Sequence, residues 1–307
     1  TTLFRSINFH MYIHKHSMAA NKKTKKRTII LLVLAILLTV FGIYIAWENT
    51  VIELSKYTIS SKSLPHSFSG FKIAHVSDLH NTEFGKDNLK LIQMLEEAEP
   101  DIIVITGDLI DSRHTDLDVS LNFVEKSGKI APVYYVTGNH ESRLDEYEKS
   151  EVRLKDVGVT VLRDEVHRFE KNGEEILIIG LDDPQFTPLS ERAGKTPSII
   201  NTKLKNLKSD SNAFTVLLSH RPELFETYTE NDVDLVLSGH THGGQFRIPF
   251  IGAFLVPDQG LFPKYDAGVF MANNTNMIVS RGLGNSIIPF RINCRPEIIM
   301  VTLVNEN

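Results

Sequence analysis

After residue 70, short apolar runs alternate with segments of helical periodicity. Apolar runs predict buried strands at 71–77, 101–106 and 132–137. Between and after them, apolar residues recur at helical spacing, as Leu91, Ile92 and Leu95 do, and predict helices at 87–98, 117–127 and 143–157. This strand–helix–strand order predicts parallel strands joined by helical crossovers.

The second half of the chain is richer in strands. Lys171-Asn172-Gly173-Glu174 predicts a hairpin turn, and one helix is predicted at 199–208. The further strands are predicted at 159–162, 166–170, 175–181, 214–219, 235–238, 244–248, 268–271, 277–280 and 297–303. The pattern indicates an α/β fold of two packed sheets with helices outside.

A different pattern fills the N-terminal region. Residues 28–47 carry no charge and are long enough to cross a bilayer, so we predict a transmembrane anchor. The basic cluster that ends at Arg27 predicts a cytoplasmic N-terminus and places the rest of the chain on the extracytoplasmic side of the cell membrane. A cleaved signal peptide and a buried core helix are the alternatives.

The predicted domain plan has four parts. Residues 1–27 form a basic cytoplasmic segment, 28–47 the anchor, 48–70 a Ser-rich stalk with one strand at 51–58, and 71–307 the globular domain. The chain does not begin with Met, and Met18 directly precedes the basic cluster. Residues 1–17 are therefore left out of the fold prediction, as expected if translation starts at Met18 or if they are not native.

Charge and cysteine content argue against several classes of protein and site. Seven of the 33 basic residues lie in 1–27, which leaves 26 basic and 38 acidic residues in the rest of the chain. Such an acidic balance is unlike that of a nucleic-acid-binding domain, so no nucleic-acid partner is expected. The one cysteine, Cys294, excludes an intrachain disulfide and a thiolate metal cluster, and we expect it in the core.

Polar residues gather at the carboxyl ends of five predicted strands, where ligands bind in open α/β sheets. These strand ends read Asp78-Leu-His80, Gly-Asp108-Leu-Ile-Asp111, Gly-Asn139-His140-Glu141, Ser-His220-Arg221 and Gly-His240-Thr-His242. Oxygen and imidazole donors together suit divalent ions such as Mn, Fe and Zn. An extended backbone would point both members of each Asp-x-His or His-x-His pair to one side.

In this order and spacing, the motifs over 71–304 resemble the calcineurin-like metallophosphoesterases, and most of all the bacterial membrane-associated phosphodiesterases of the YkuE/YaeI type. The resemblance implies a four-layer α-β-β-α sandwich of two mixed sheets and a site with two divalent metals. It implies that Asp78, His80 and His242 hold one metal, that Asn139, His220 and His240 hold the other, and that Asp108 bridges them. It further implies that His140 acts as acid or charge stabiliser, oriented by a hydrogen bond to Asp111.

The expected reaction is the hydrolysis of a phosphodiester by water activated between the two metals. A phosphomonoesterase or nucleotidase with the same site, and a non-catalytic scaffold, are the alternatives. The run Asp111-Ser112-Arg113 departs from the Asp-Arg-Gly of the protein phosphatases, which argues against a phosphoprotein substrate. Whether Arg113 and Arg221 contact phosphate or are exposed charges stays open at this stage.

The anchor favours lipid-linked or cell-envelope substrates, because a tether raises the effective concentration at the membrane. The apolar segment 246–257 follows the His-x-His pair directly. It is either a wall for a lipid chain or a loop packed on the core.

Overall fold

The computed structural model describes residues 2–209, 211–286 and 288–306, with side chains at residue 11 and from residue 23 onward within those ranges. It divides into two compact units, one up to Trp47 and one from Glu48 onward. The segment Lys23–Thr50 begins in the first unit and contains an 18-residue window with a mean hydropathy of 3.0, none of which is buried. It qualifies as a membrane span by length and composition, and the buried-core alternative is wrong.

The α-helices are α1 Thr2–Thr50, α2 Leu89–Ala98, α3 Leu117–Ser127, α4 Tyr147–Asp156, α5 Leu189–Arg192, α6 Thr196–Lys208 and α7 Phe225–Thr229. The strands are β1 Glu53–Ser61, β2 Lys72–Val76, β3 Ile102–Thr106, β4 Val133–Val136, β5 Thr160–Val161, β6 Glu165–Lys171, β7 Glu174–Gly180, β8 Thr215–Leu218, β9 Leu235–Ser238, β10 Arg247–Ile248, β11 Gly252–Ala253, β12 Leu255–Val256, β13 Gly260–Leu261, β14 Gly268–Ala272, β15 Thr275–Val279 and β16 Glu297–Asn305.

Two mixed sheets, each of six strands within the described residues, form the second unit. The first has the order β1-β16-β2-β3-β4-β5, with β2 to β5 parallel and β16 antiparallel to β2. The second has the order β14-β15-β9-β8-β7-β6, with β7, β8, β9 and β15 parallel and antiparallel strands at both edges.

The alternation of side chains along the strands creates the layers. In β3, Ile102 and Val104 point between the sheets, whereas Ile103 and Ile105 pack under α2 and α3. Helices α6 and α7 cover the outer face of the second sheet. The predicted α/β sandwich of two mixed sheets is confirmed.

Most predicted elements are confirmed, including a helix at 117–127 and the hairpin turn, where Asn172 and Gly173 both have positive φ. The short elements α5, α7 and β11 to β13 were not predicted, because two to five residues carry too little periodicity. The buried position of Cys294 is also as expected.

The stalk prediction for 48–70 needs correction. Strand β1 pairs in parallel with β16 from Glu53 to Ser61, and Phe68 is fully buried. The strand predicted at 51–58 is confirmed as β1, but it lies at the edge of its sheet and is only partly buried, so its polar sequence resembles that of a linker. The segment therefore belongs to the globular unit.

Candidate metal centre

The five predicted strand ends meet at one edge of the sandwich. Loops after β2, β3 and β4 come from the first sheet, and loops after β8 and β9 come from the second. Seven side chains on these loops are buried: Asp78, His80, Asp108, Asn139, His220, His240 and His242.

Four of them form a first cluster in which the ligand atoms lie within 4.8 Å of one another: Asp78, His80, Asp108 and His242. His80 Nε2 is 3.2 Å from His242 Nε2 and 3.6 Å from Asp108 Oδ2. His242 Nε2 is 3.4 Å from Asp78 Oδ1. Two imidazole nitrogens and two carboxylates thus converge on one point.

Asp108 also belongs to a second cluster, with His220 and His240. His220 Nε2 is 3.2 Å from Asp108 Oδ2 and 3.2 Å from Asn139 Oδ1. One carboxylate is therefore shared by two adjacent groups of donors.

Backbone carbonyl groups fix two of the imidazole rings. Nδ1–H of His220 donates to the carbonyl oxygen of Thr106 at 2.7 Å, and Nδ1–H of His242 donates to that of Gly284 at 3.2 Å. In the neutral form of each ring the proton is therefore on Nδ1, and Nε2 turns its lone pair toward the cluster. Such outer hydrogen bonds are typical of metal-ligating histidines.

The backbone at the clusters is unusual. Asp78, His80, Asp108, His240 and His242 all have φ between 49° and 71°, in the left-handed region. The expectation of an extended backbone at the Asp-x-His and His-x-His pairs is therefore wrong. Each such residue costs about 1–3 kcal/mol, and backbone strain of this kind concentrates at functional sites.

Burial and nearby charges shift the pKa values of the ionisable side chains in the two clusters. Burial lowers the pKa of His80 to about 3 and raises that of Asp78 to about 6. Burial also opposes the charged form of His220, but Asp108, Asp78 and Asp183 outweigh it and raise its pKa to about 10. Three carboxylates around one imidazole create a strongly negative site that favours a cation.

His140 lies beside the first cluster, with its ring 4.4 Å from that of His80. The backbone N–H of Ser112 donates to its Nδ1 at 3.1 Å, so the ring proton is assigned to Nε2. Asp111 was expected to make this hydrogen bond, but its Oδ1 lies 3.4 Å away. Its carboxylate instead accepts from the backbone N–H and the guanidinium of Arg113, which is an exposed side chain.

Glu141 follows His140 in the third strand-end motif, and the sequence alone indicates no role for it. Its buried carboxylate accepts backbone N–H groups from Asp108, Ile110 and Gly138 at 2.7–3.0 Å. Burial and the charge of Asp108 raise its pKa to about 7. Glu141 ties together the loops that carry Asp108 and Asn139.

Arg221 is the second residue whose role the sequence left open. It is buried, and its guanidinium donates to Asp183 from Nε at 2.6 Å and from Nη2 at 3.1 Å. Its Nη1 lies 2.6 Å from Asp258 Oδ2 and 3.0 Å from His240 Nε2. Asp183 follows the end of β7, so the signal that identified the other strand ends applied to it as well.

The donor set fits divalent metal ions. Each cluster combines imidazole nitrogen with carboxylate or amide oxygen, the mixture that borderline divalent ions bind. The Nε2 atoms of His80 and His242 face each other at 3.2 Å, so both can ligate one ion once neither carries a proton. A cation between these atoms would satisfy both.

Comparison with known proteins agrees with this chemistry. The family model described as calcineurin-like phosphoesterase matches residues 71–244. The uncharacterized metallophosphoesterase YkuE of Bacillus subtilis (strain 168) is 32% identical over 265 residues, which cover 85% of this chain and 88% of that protein.

Two further relatives extend the match. Phosphodiesterase YaeI of Escherichia coli (strain K12) is 31% identical over 76% of this chain and 82% of its own length. A Danio rerio protein named transmembrane protein with metallophosphoesterase domain is 29% identical over 91% of this chain and 63% of its own. The chain belongs to the calcineurin-like phosphoesterase family and is a metallophosphoesterase, a hydrolase that acts on phosphoester bonds.

Proposed function

We propose that the protein is a phosphodiesterase with a two-metal centre. The observation that carries this proposal is the pair of donor clusters that share Asp108. The name of the relative YaeI supports a diester rather than a monoester as substrate.

In this proposal, each ligand has one place. Asp78, His80 and His242 would hold one metal, Asn139, His220 and His240 would hold the other, and Asp108 would contact both. Bound divalent ions of this kind, such as Mn, Fe or Zn, supply a nucleophile from water near neutral pH and neutralise phosphate charge. Glu141 would keep the two ligand loops in register, because it accepts hydrogen bonds from both.

His140 would act on the substrate by hydrogen bonding. Burial lowers its pKa, so the ring stays neutral at neutral pH. Because Ser112 occupies Nδ1, the Nε2–H is the group that can donate to a phosphate oxygen or to the departing oxygen. A neutral imidazole is a weak acid, which favours charge stabilisation over full proton transfer. Asp111 would orient the loop through its contact with Arg113 and stabilise any protonated form of His140.

The site would lie at the outer face of the cytoplasmic membrane. The candidate span Lys23–Thr50 and the name of the Danio rerio relative support membrane association. The basic residues before the span favour a cytoplasmic N-terminus. Lipid-linked or cell-envelope phosphoesters are then the accessible substrates. Protease treatment of intact cells tests the orientation, since a protected domain would contradict it.

The activity is tested with the full-length protein in detergent, stripped with chelator and resupplied with Mn, Zn or Fe. We expect metal-dependent hydrolysis of bis-(p-nitrophenyl) phosphate, faster than that of p-nitrophenyl phosphate. His140→Ala should keep the metals and lose about 10²–10⁴-fold in turnover. The matched control His66→Ala, at an exposed position outside the site, should behave as the wild type.

Three results would contradict the proposal. Faster hydrolysis of the monoester would indicate a phosphomonoesterase or nucleotidase. No bound metal and no turnover would indicate a scaffold. Full activity of His140→Ala would remove that residue from the mechanism.

A further inference from the structure

A cavity of about 700 Å³ opens directly beside the first donor cluster. His242, which belongs to that cluster, forms part of its wall, and so does Asp258, which contacts His240 at 3.0 Å. A molecule whose phosphate occupies the clusters can therefore extend into this cavity. Its volume lies within the range of small-molecule sites, which is about 300–1,000 Å³.

The rest of the wall is largely apolar. It includes the side chains Phe246, Phe254, Leu255, Val256, Pro257 and Ile288. Two polar side chains of the wall are already engaged, since Thr241 Oγ1 donates to the carbonyl of Asp266 and Gln245 Nε2 donates to that of Ile288. The cavity thus offers polar groups at the metal end and hydrocarbon beyond it.

Hydrogen bonds hold this wall in place. The backbone N–H of Phe254 donates to the carbonyl of Phe246, and that of Phe262 donates to the carbonyl of Phe254. The backbone of Gln245 and Arg247 pairs with Ile292, which joins the wall to the segment that carries Ile288. A cavity built in this way exists before the ligand arrives, so binding needs little reorganisation.

Apolar side chains at the rim of the cavity are exposed to water, which is unfavourable in the unbound protein. Phe254 is 45% exposed, Leu255 is 50% exposed and Ile288 is 36% exposed. Exposed apolar surface next to a polar site marks a place where a ligand or partner is bound. The alternative expectation, that segment 246–257 packs on the core, holds for Ala253 and Val256 but not for Phe250, Phe254 or Leu255.

We propose that this cavity binds the alkyl chain of the substrate, so that the enzyme selects phosphoesters that carry a hydrocarbon chain. The inference rests on the proposed function, because the phosphate must sit at the donor clusters. The same chain carries a candidate membrane span, which keeps the site where such amphiphiles are found.

The test uses the full-length protein in lipid nanodiscs, with empty nanodiscs to correct for partitioning. One arm measures kcat/KM with Mn for alkyl p-nitrophenyl phosphates from methyl to hexyl. The other arm measures the Kd of the matching alkyl phosphonates by calorimetry. Both should improve about fourfold for each added methylene that the cavity covers.

Leu255→Gln places an amide on the wall. It should lower the hexyl-to-methyl ratio of kcat/KM, and of the association constant 1/Kd, by about tenfold. Leu189→Gln is the matched control, because Leu189 is also exposed and does not line the cavity. Its ratio should equal that of the wild type.

The two arms separate the cavity from the reaction. Chain-dependent Kd values without turnover would support the cavity and overturn the phosphodiesterase proposal. Turnover with Kd and kcat/KM values independent of chain length would overturn the cavity and leave the phosphodiesterase standing. Chain dependence that survives unchanged in Leu255→Gln would also overturn the cavity.

Discussion

Asp183→Asn tests whether the buried ion pair with Arg221 stabilises the fold and positions the guanidinium beside His240. Asp183 has two carboxylate oxygens on Arg221, at 2.6 and 3.1 Å, and also accepts the N–H of Gln185 at 2.8 Å. An asparagine that keeps its oxygen toward Gln185 and Nη2 loses the shorter bond to Nε. That bond is charge-assisted and is worth about 1.5–3 kcal/mol.

The change also leaves the buried charge of Arg221 with less compensation. Breaking a buried pair typically costs about 3–5 kcal/mol. Because Arg221 keeps Asp258 and a more distant Glu223, we expect the lower end, about 3 kcal/mol. Turnover should fall as well, since Arg221 would be held beside His240 mainly through Asp258 and less rigidly.

The assay is urea unfolding of the full-length, metal-free protein in detergent, followed by far-UV circular dichroism at neutral pH. A lower midpoint with an unchanged m-value reports lost stability. Asp118→Asn is the matched control, because it removes an Asp–Arg pair in which the side chains are 83% and 52% exposed. It should cost less than about 1 kcal/mol.

The dependence on pH has a defined sign. Burial alone would raise the pKa of Asp183, but Arg221 outweighs burial and lowers it. A depressed pKa gives stability that is complete above the ordinary value of about 3.9 and is lost as the pH falls through the folded-state value. The wild-type advantage should therefore stay constant from about pH 8 to about pH 5. A cost below about 1 kcal/mol, equal to that of Asp118→Asn, would refute the reasoning.

The remaining predictions concern the metal centre. Asp108→Asn should leave less than two metals bound after gel filtration, measured by plasma mass spectrometry, because the shared carboxylate loses its charge; normal binding of both would refute the shared role. Gly138→Ala would place a Cβ 2.5 Å from the backbone nitrogen of Asp108. It should lower the free energy of unfolding in urea by about 1–3 kcal/mol and should also weaken metal binding. Gly128→Ala is the control, because its Cβ would have its nearest neighbour at 3.4 Å, and it should be neutral or stabilising. The pKa of His220 is raised to about 10, so the metal-free site binds a proton that the metal must displace. Metal affinity, measured by chelator competition, should rise by up to about tenfold per pH unit between about pH 6 and about pH 8, and a flat profile would contradict a protonated His220.

Much of the fold was readable because its elements carry strong local signals. Strands such as β3 and β9 are short apolar runs that are buried on both faces. Helix α3 has a capping Asp116 and a clear apolar face. The edge strand β1 was predicted as a strand but not as part of the sheet, because its partner β16 lies more than two hundred residues away and its exposed face is polar.

By itself, the sequence predicted two packed sheets and polar strand ends, because periodicity and side-chain chemistry are properties of neighbouring residues, and the resemblance of these motifs to a known family singled out the seven candidate ligands. Tertiary structure decided what depends on residues far apart in the chain. In the folded protein, the backbone of the ligand pairs adopts the left-handed region, and Nδ1 of His140 accepts a hydrogen bond from Ser112 rather than contacting Asp111. Arg221 is buried in an ion pair with Asp183. It also set segment 246–257 against Ile288 as the wall of a cavity. These outcomes depend on which loops meet when the two sheets pack, and no local pattern records that meeting.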